Sequence, residues 1–521
     1  MAENGLASGQ TGDERFQALL SNASAARVIS QAVEGTIGPK GLDIMMVDKF
    51  GDVVISNDGV TILKLMEVKH PVARMIINTA RAQQSQVGDG TTTATIIAGA
   101  LVTEGAEQVI KGVPVTRVIE GITIGVNAAL NLIKQQSRNI NSLEDKLLYN
   151  IAEIAGRGHK DLARLVIKGA QLVGIQRLKD RDYKFADAVV ARELSSSQVF
   201  RGVLLNKQAV NKDMPLTLEK PLIMVVDDAL SPEEIEREAL KNESGFQYYL
   251  QAREKYEENL RKICRLGVKM VVVDRGIDDI AEEIFTEAGV MVLHRVSSRE
   301  IERLCKHSGA KKIKRHSLNR DTETLKSYMG RAKLVKIDEK LEHTCVYDGG
   351  GENWTTVLIG ASTEEVVDER ERMARDAASA VQAAVQSGVV PGGGAIEVWL
   401  AAHMEDVARD VEGMTSFGVL CVKEALIKPF SCLVSNAGFN PLEKLGDVVV
   451  AQRKNGSDSI TLDSEKGKLI DVMKSGIVDP ALVKIHALKA AGEVAVAILR
   501  INTIIKMKED AGNTENVDIW E

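Results

Sequence analysis

Apolar positions from Asp13 to about Ile140 recur at three- and four-residue intervals, the signature of helices burying one face. One interruption breaks this rhythm. IMMVD, KFGD and VVISNDG read as two apolar strands joined by a Gly-containing turn, a hairpin. A long helix is predicted after Thr91 through LVTEGAEQVI, and another over VTRVIEGITIGVNAALNLIKQQS. From about Leu143 to Phe200 the pattern is mixed, with a helix through ARLVIKGAQLV and strands near YKFADAVVA. From Asn206 to Gly360 the character changes. LIMVVD (222–227), VKMVVVD (268–274) and VMVLHRV (290–296) are near-continuous apolar runs, which suit parallel strands buried on both faces.

Between the last two runs, GIDDIAEEIFTEAG places Ile277, Ile280, Ala281, Ile284 and Phe285 on one helix face. Two roles are open for that stripe: core packing, or an exposed surface for apolar polypeptide segments. After the third run, Ser297 and Glu300 have the spacing of a capping box. The segment between the first two runs, SPEEIEREALKNESGFQYYLQAREKYEENLRKICRLG, exceeds a simple crossover and reads as a helical protrusion. From about Ser362 helical spacing returns and continues to about Arg500. Helical ends around an α/β middle imply a helical base built from both ends of the chain, with the middle as a separate module.

At 521 residues the chain exceeds one ordinary core, so two to four domains are expected. Its 44% hydrophobic and 27% charged residues fit a soluble globular protein, and no apolar run is long enough for a membrane span. A net charge of −7 and only 4% aromatics argue against nucleic acid as the main partner. Five cysteines without a C-x-x-C pair fit reduced, buried thiols in a cytoplasmic protein, and the scattered histidines offer no zinc spacing.

Three glycine-rich loops carry the candidate chemistry: TIGPKG (36–41), VGDGTTT (87–93) and PGGGA (391–395). The P-loop signature and G-x-G-x-x-G are both absent. Glycines allow backbone N–H groups to approach an anion, and a helix start adds partial positive charge. Asp89 is the informative residue of GDGTTT, because a carboxylate among phosphates needs a bridging Mg²⁺. A plain capped turn remains the alternative. Asp58, in SNDGV, and Asp376, in RERMARDAASAV, are acids that could orient or deprotonate water, or could serve as a turn residue and an exposed helix charge.

TIGPKGLD, GDVVISNDGVTIL, HPVARMI, VGDGTTTATIIAGAL, RGIDD, VVPGGGAIE and NAGFNP occur in the order found in chaperonins, and the match spans nearly the whole chain. The chain most resembles the group II type, thermosome and cytosolic chaperonin, in having the protrusion and NDG where group I carries KDG. The resemblance implies a multidomain fold: an all-α equatorial domain with a small β-hairpin (1–142 and 400–521), an α/β intermediate domain (143–205 and 361–399) and an α/β apical domain (206–360) with a helical protrusion at about 228–262. It implies a cytoplasmic, ATP- and Mg-dependent chaperone of two stacked rings that encloses non-native polypeptides under a built-in lid. No separate co-chaperonin, nucleic acid or membrane is expected.

The site residues it implies are Ile37, Gly38, Pro39, Asn57, Gly59, Gly90, Thr91, Thr92, Thr93, Arg157, Gly393, Gly394, Asp479 and Lys484 for nucleotide, and Asp89 for the metal. Asp58 and Asp376 are the implied catalytic acids, and Ile280, Ile284 and Phe285 a substrate-facing patch. A nucleotide-dependent holdase is the rival reading, but Asp58, Asp89 and Asp376 are all present. Asp479 stands where group II members usually carry Glu, and Arg157 where archaeal relatives carry Lys. These departures imply an outlying, bacterial branch.

Overall fold

The computed structural model describes residues 7–232, 243–339 and 341–504. The chain divides into two compact units, one of residues 1–140 and 387–521, the other of residues 141–386. The family resemblance implies boundaries for the base at 142/143 and 399/400.

The first unit is helical. Val115–Gln136 buries Val118, Ile122, Val126, Ala129 and Ile133, close to one face of the helix. It crosses Thr415–Asn436 so closely that a Cβ on Gly121 would meet the Thr415 carbonyl, and one on Gly418 the Val118 carbonyl. Thr91–Ile110 and Ala481–Leu499 are apolar around most of their circumference, and they occupy the middle of the same core. The expected hairpin is present as Ile44–Val47 paired antiparallel with Val53–Ser56. The apolar pattern predicts one hairpin in this unit. The structure adds two further antiparallel pairs, Val389–Pro391 with Val478–Pro480 and Ile460–Leu462 with Leu469–Asp471. The first of these joins segments far apart in the chain, so no local turn signal announces it.

The second unit is built on a ten-stranded sheet. The three apolar runs pair in parallel within it, as Leu222–Val226, Val268–Val273 and Met291–Leu293. Gln198–Leu205, Gly330–Asp338, His343–Gly349 and Thr355–Ala361 extend it in antiparallel fashion. Of the strands expected near YKFADAVVA, Phe185–Ala188 is a 3₁₀ turn, and only Val189–Glu193 is a strand. The capping box is formed: the Glu300 N–H donates to the Ser297 hydroxyl, and the Ser297 N–H to the Glu300 carboxylate. Of the expected protrusion, residues 233–242 lie outside the described residues, and Glu243–Arg265 is one helix.

Phe285 corrects one expectation. It is fully buried among Leu260, Ile263, Val271 and Val292 of the second unit's core, so it cannot face a bound polypeptide. Ile280 and Ile284, on the flank of the same Asp279–Glu287 helix, are half-buried.

Candidate nucleotide site

The site grows from the first turn of Thr91–Ile110. Gly90 caps this helix at φ +76° and supplies no side-chain cap. The first-turn N–H groups are thereby left to other acceptors. A Cβ on Gly90 would lie 2.5 Å from Val483 Cγ1. Asp89 is half-buried, and its Oδ1 accepts from the Gly90 N–H at 2.6 Å. Gln83 fixes the loop by donating from Nε2 to the Asp89 carbonyl (2.7 Å) and the Val483 carbonyl (3.2 Å). His486 Nδ1 in turn meets Gln83 Oε1 at 2.6 Å.

The SNDG turn interlocks with this loop. Asp58 caps the short Gly59–Leu65 helix, its Oδ2 accepting from Thr61 N (3.0 Å) and Thr61 Oγ1 (2.7 Å). A Cβ on Gly59 would come 2.5 Å from Thr92 Oγ1 and 3.3 Å from Thr91 Oγ1, so only hydrogen fits. Asn57 Oδ1 is buried without a hydrogen-bond partner among the described residues. An orphaned buried polar atom carries a desolvation cost of about 1–3 kcal/mol, which a ligand donor would recover.

Charge completes the arrangement. Lys484 Nζ lies 2.6 Å from Glu397 Oε1 and 2.8 Å from Asp479 Oδ2. Burial opposes its charge, but Asp479 and Glu397 together hold its proton well above the usual lysine range. Burial raises the Asp89 carboxyl above the ordinary carboxylate range, and Asp479 and Asp58 add to the rise while the Gly90 N–H and Lys484 oppose it. Asp89, Asp58, Asp479 and Lys484 therefore share one electrostatic environment. An acid whose charge is disfavoured in this way is a good seat for a cation. Among the described residues no group of three or more His, Cys, Asp and Glu could hold a metal alone. Asp89 could supply one ligand to Mg²⁺, with nucleotide phosphates and water supplying the rest, the usual coordination of that ion.

The PGGGA loop reaches the same place. The ladder registers Val390 opposite Asp479, and a Cβ on Gly392 would lie 3.3 Å from Asp479 Cγ. Thr461 Oγ1 donates to the Gly393 carbonyl at 3.0 Å. Gly394, at φ +78°, caps Ala395–Arg409 and packs on Phe430. TIGPKG rests on the helix that carries Phe430. Asn436 Nδ2 donates to the Ile37 carbonyl at 3.0 Å, and a Cβ on Gly38 would touch Leu433. Pro39 is exposed and Ile37 half-buried.

Thr91, Thr92 and Thr93 follow Gly90, with Thr91 buried and the other two half-buried. Glu397 was missed from sequence. Its signal is a lone acid in the apolar helical run AIEVWLAA, and it is only 3% exposed. Arg157 and Asp376 belong to the second unit. Arg157 has a left-handed backbone, φ +55°, between two glycines, and pairs with Glu369 at 3.1 Å. Asp376 Oδ2 lies 3.8 Å from Arg372 Nη1.

Residues 29–509 match the TCP-1/cpn60 chaperonin family. A thermosome subunit of Pyrococcus abyssi is 33% identical over 503 residues, covering 93% of this chain and 90% of that protein. A thermosome subunit beta of Archaeoglobus fulgidus is 34% identical over 505 residues, covering 94% of this chain and 91% of the relative. A group III chaperonin solved in the open state superposes with a TM-score of 0.89 at 45% identity, covering 95% of this chain and all of that one. With glycine loops, acids and a buried lysine converging at one helix start, and with similarity along almost its whole length, the chain belongs to the TCP-1/cpn60 chaperonin family of ATP-dependent folding chaperones.

Proposed function

We propose that this chain is the ATP-hydrolysing subunit of a double ring that encloses non-native polypeptides under a lid of its own. The observation that carries the ATPase reading is the meeting of Asp89–Thr92 with Gly59 and with Val483–Lys484, segments far apart in the chain. Backbone N–H groups and hydroxyls of Thr91, Thr92 and Thr93 receive the phosphates at the helix start. Asp479 and the Gly393–Gly394 turn hold the ribose and base side. Bound at Asp89, Mg²⁺ would supply charge neutralisation to the phosphates.

Asp58 is held rigidly by Thr61, which suits an acid that orients a water for attack on the terminal phosphorus. Asp376, on the second unit, is the partner acid that takes the water's proton. The family resemblance assigns both acids to one hydrolysis, and turnover is expected to need each of them.

Ring assembly is supported by the 44–56 hairpin, whose Met45, Val47, Phe50, Val53 and Ile55 are all more than half exposed. No helix among the described residues is long and apolar enough to cross a membrane.

The test is Asp376→Ala. ATP binding is expected to persist while steady-state hydrolysis falls by about 10²–10⁴. Normal turnover in that variant would sink the mechanism.

A further inference from the structure

Gln83 lies in the last turn of the Pro71–Gln86 helix, just ahead of the Asp89 loop, and is fully buried. The loop wraps around it. Its backbone carbonyl accepts from the Val87 N–H at 3.0 Å and the Gly88 N–H at 3.3 Å. Its side-chain Nε2 donates to the Asp89 carbonyl at 2.7 Å and to the Val483 carbonyl at 3.2 Å. One residue thus grips three consecutive loop positions and ties them to the first turn of Ala481–Leu499.

The two carbonyls decide which way the amide faces. In the flipped orientation Oε1 would meet two carbonyl oxygens at distances that only a donor can occupy. Oε1 therefore points the other way, 2.6 Å from His486 Nδ1. An acceptor at that distance requires a proton on Nδ1, so His486 is the donor that keeps the amide from turning. The effect reaches the Asp89 carboxylate through a single peptide. Gln83 holds the carbonyl end of the Asp89–Gly90 peptide, and its N–H end donates to Asp89 Oδ1 at 2.6 Å. With both ends fixed, Oδ1 is held in place and Oδ2 is left to a cation. Gly90, at φ +76°, is free of the side-chain restrictions that would otherwise set this peptide.

We propose that Gln83 is a positioning residue for Asp89 as a Mg²⁺ ligand, and that His486 acts through Gln83 by locking its amide. Gln83 sets the plane of the peptide from which the Asp89 carboxylate is aimed. By tying that peptide to Val483 it also fixes Asp89 relative to Lys484, the neighbouring cation of the same seat. The inference rests on the reading of this helix start as a seat for ATP and Mg²⁺.

The experiment measures the Kd of a non-hydrolysable ATP analogue by titration calorimetry in the full-length assembled protein, once in EDTA and once in Mg²⁺. The EDTA value divided by the Mg²⁺ value reports how much affinity passes through the metal. Gln83→Met keeps the length of the side chain and removes its amide. It is expected to lower that ratio at least about fivefold, with the EDTA Kd within about twofold of the parent. His486→Leu is expected to lower the ratio about threefold, and this half-buried position carries the test should Gln83→Met fail to assemble. The double variant is expected to match Gln83→Met within about twofold, because His486 acts only through Gln83. A merely structural role would weaken binding equally in both solutions and leave the ratio unchanged. A parental ratio in either single variant, or additive losses in the double, overturns the inference. Asp89→Asn separates the two levels. A ratio near one there keeps the reading of the seat whatever Gln83 shows, and a parental ratio overturns that reading itself.

Discussion

Gly90→Ala places the whole site under one quantitative test. The glycine sits at φ +76°, where an L side chain costs about 1–2 kcal/mol. The added Cβ would also lie 2.5 Å from Val483 Cγ1 and 3.1 Å from Gln83 Nε2. Val483 is β-branched and buried, so it cannot turn aside, and overpacking of this kind costs about 1–3 kcal/mol. The two contributions sum to about 2–5 kcal/mol. The strain falls on the peptide that joins Asp89 to the helix start, so relief must move either the proposed metal ligand or the N–H groups proposed to receive phosphate. If only about 2 kcal/mol of it appears in the bound state, the Kd for ATP rises roughly 30-fold.

Isothermal titration with a non-hydrolysable ATP analogue measures this directly. Gly112→Ala is the control. It has φ +99° and nothing within 4 Å of the new Cβ, so it carries backbone strain without a clash, at the far end of the same helix. It is expected to lower thermal stability and leave the Kd within about twofold. A Gly90→Ala protein that binds the analogue with parental affinity would refute the placement of nucleotide at this helix start.

Asp89→Asn is expected to abolish the difference between ATP affinity in Mg²⁺ and in EDTA, and a variant that keeps the parental Mg²⁺ dependence would remove Asp89 as the ligand. His486 is held below its ordinary value of 6.5, first by burial and then by Lys489. The folded state therefore prefers neutral imidazole, and its contribution to stability is present above about pH 6.5 and lost as pH falls toward the lowered folded value. Melting curves between pH 7.5 and roughly 5 should lose part of their slope in His486→Gln, and an unchanged slope would contradict this. Met45→Asp combined with Ile55→Asp puts charge on the exposed hairpin, and sedimentation should then show species smaller than a ring. Intact rings would mean that the hairpin does not serve assembly.

The features legible in the sequence are those set by local spacing. The Thr91 helix start, the 44–56 hairpin, the three parallel strands and the Ser297–Glu300 cap each depend on residues within a few positions of one another. The pairing of Val390 with Asp479 was not legible, since its two strands lie far apart in the chain with several helices between them. The antiparallel half of the large sheet escaped for a related reason: Gly330–Asp338 alternates buried and exposed positions, a weaker signal than the continuous apolar runs beside it. Phe285 shows the limit of a helical stripe. Periodicity gives the apolar face, but which of its residues lies at the centre depends on the strands beneath. The role of Glu397 emerged only with its partner, because a buried acid is explained by the lysine it meets 87 positions later.

The assembly of the first unit from two separated segments has a consequence for synthesis. The second unit is continuous in the chain and can be completed while the ribosome is still at work. The proposed seat for ATP cannot, because Gly90 waits for Val483 and Lys484. At about 5–20 residues per second, the nearly four hundred intervening residues take roughly 20–80 s to emerge. During that interval the apolar faces that will meet Ala481–Leu499 have no partner of their own chain. A subunit of a folding machine thus spends its own translation exposed to misfolding, and nucleotide capture at the proposed site is expected only once its base is complete.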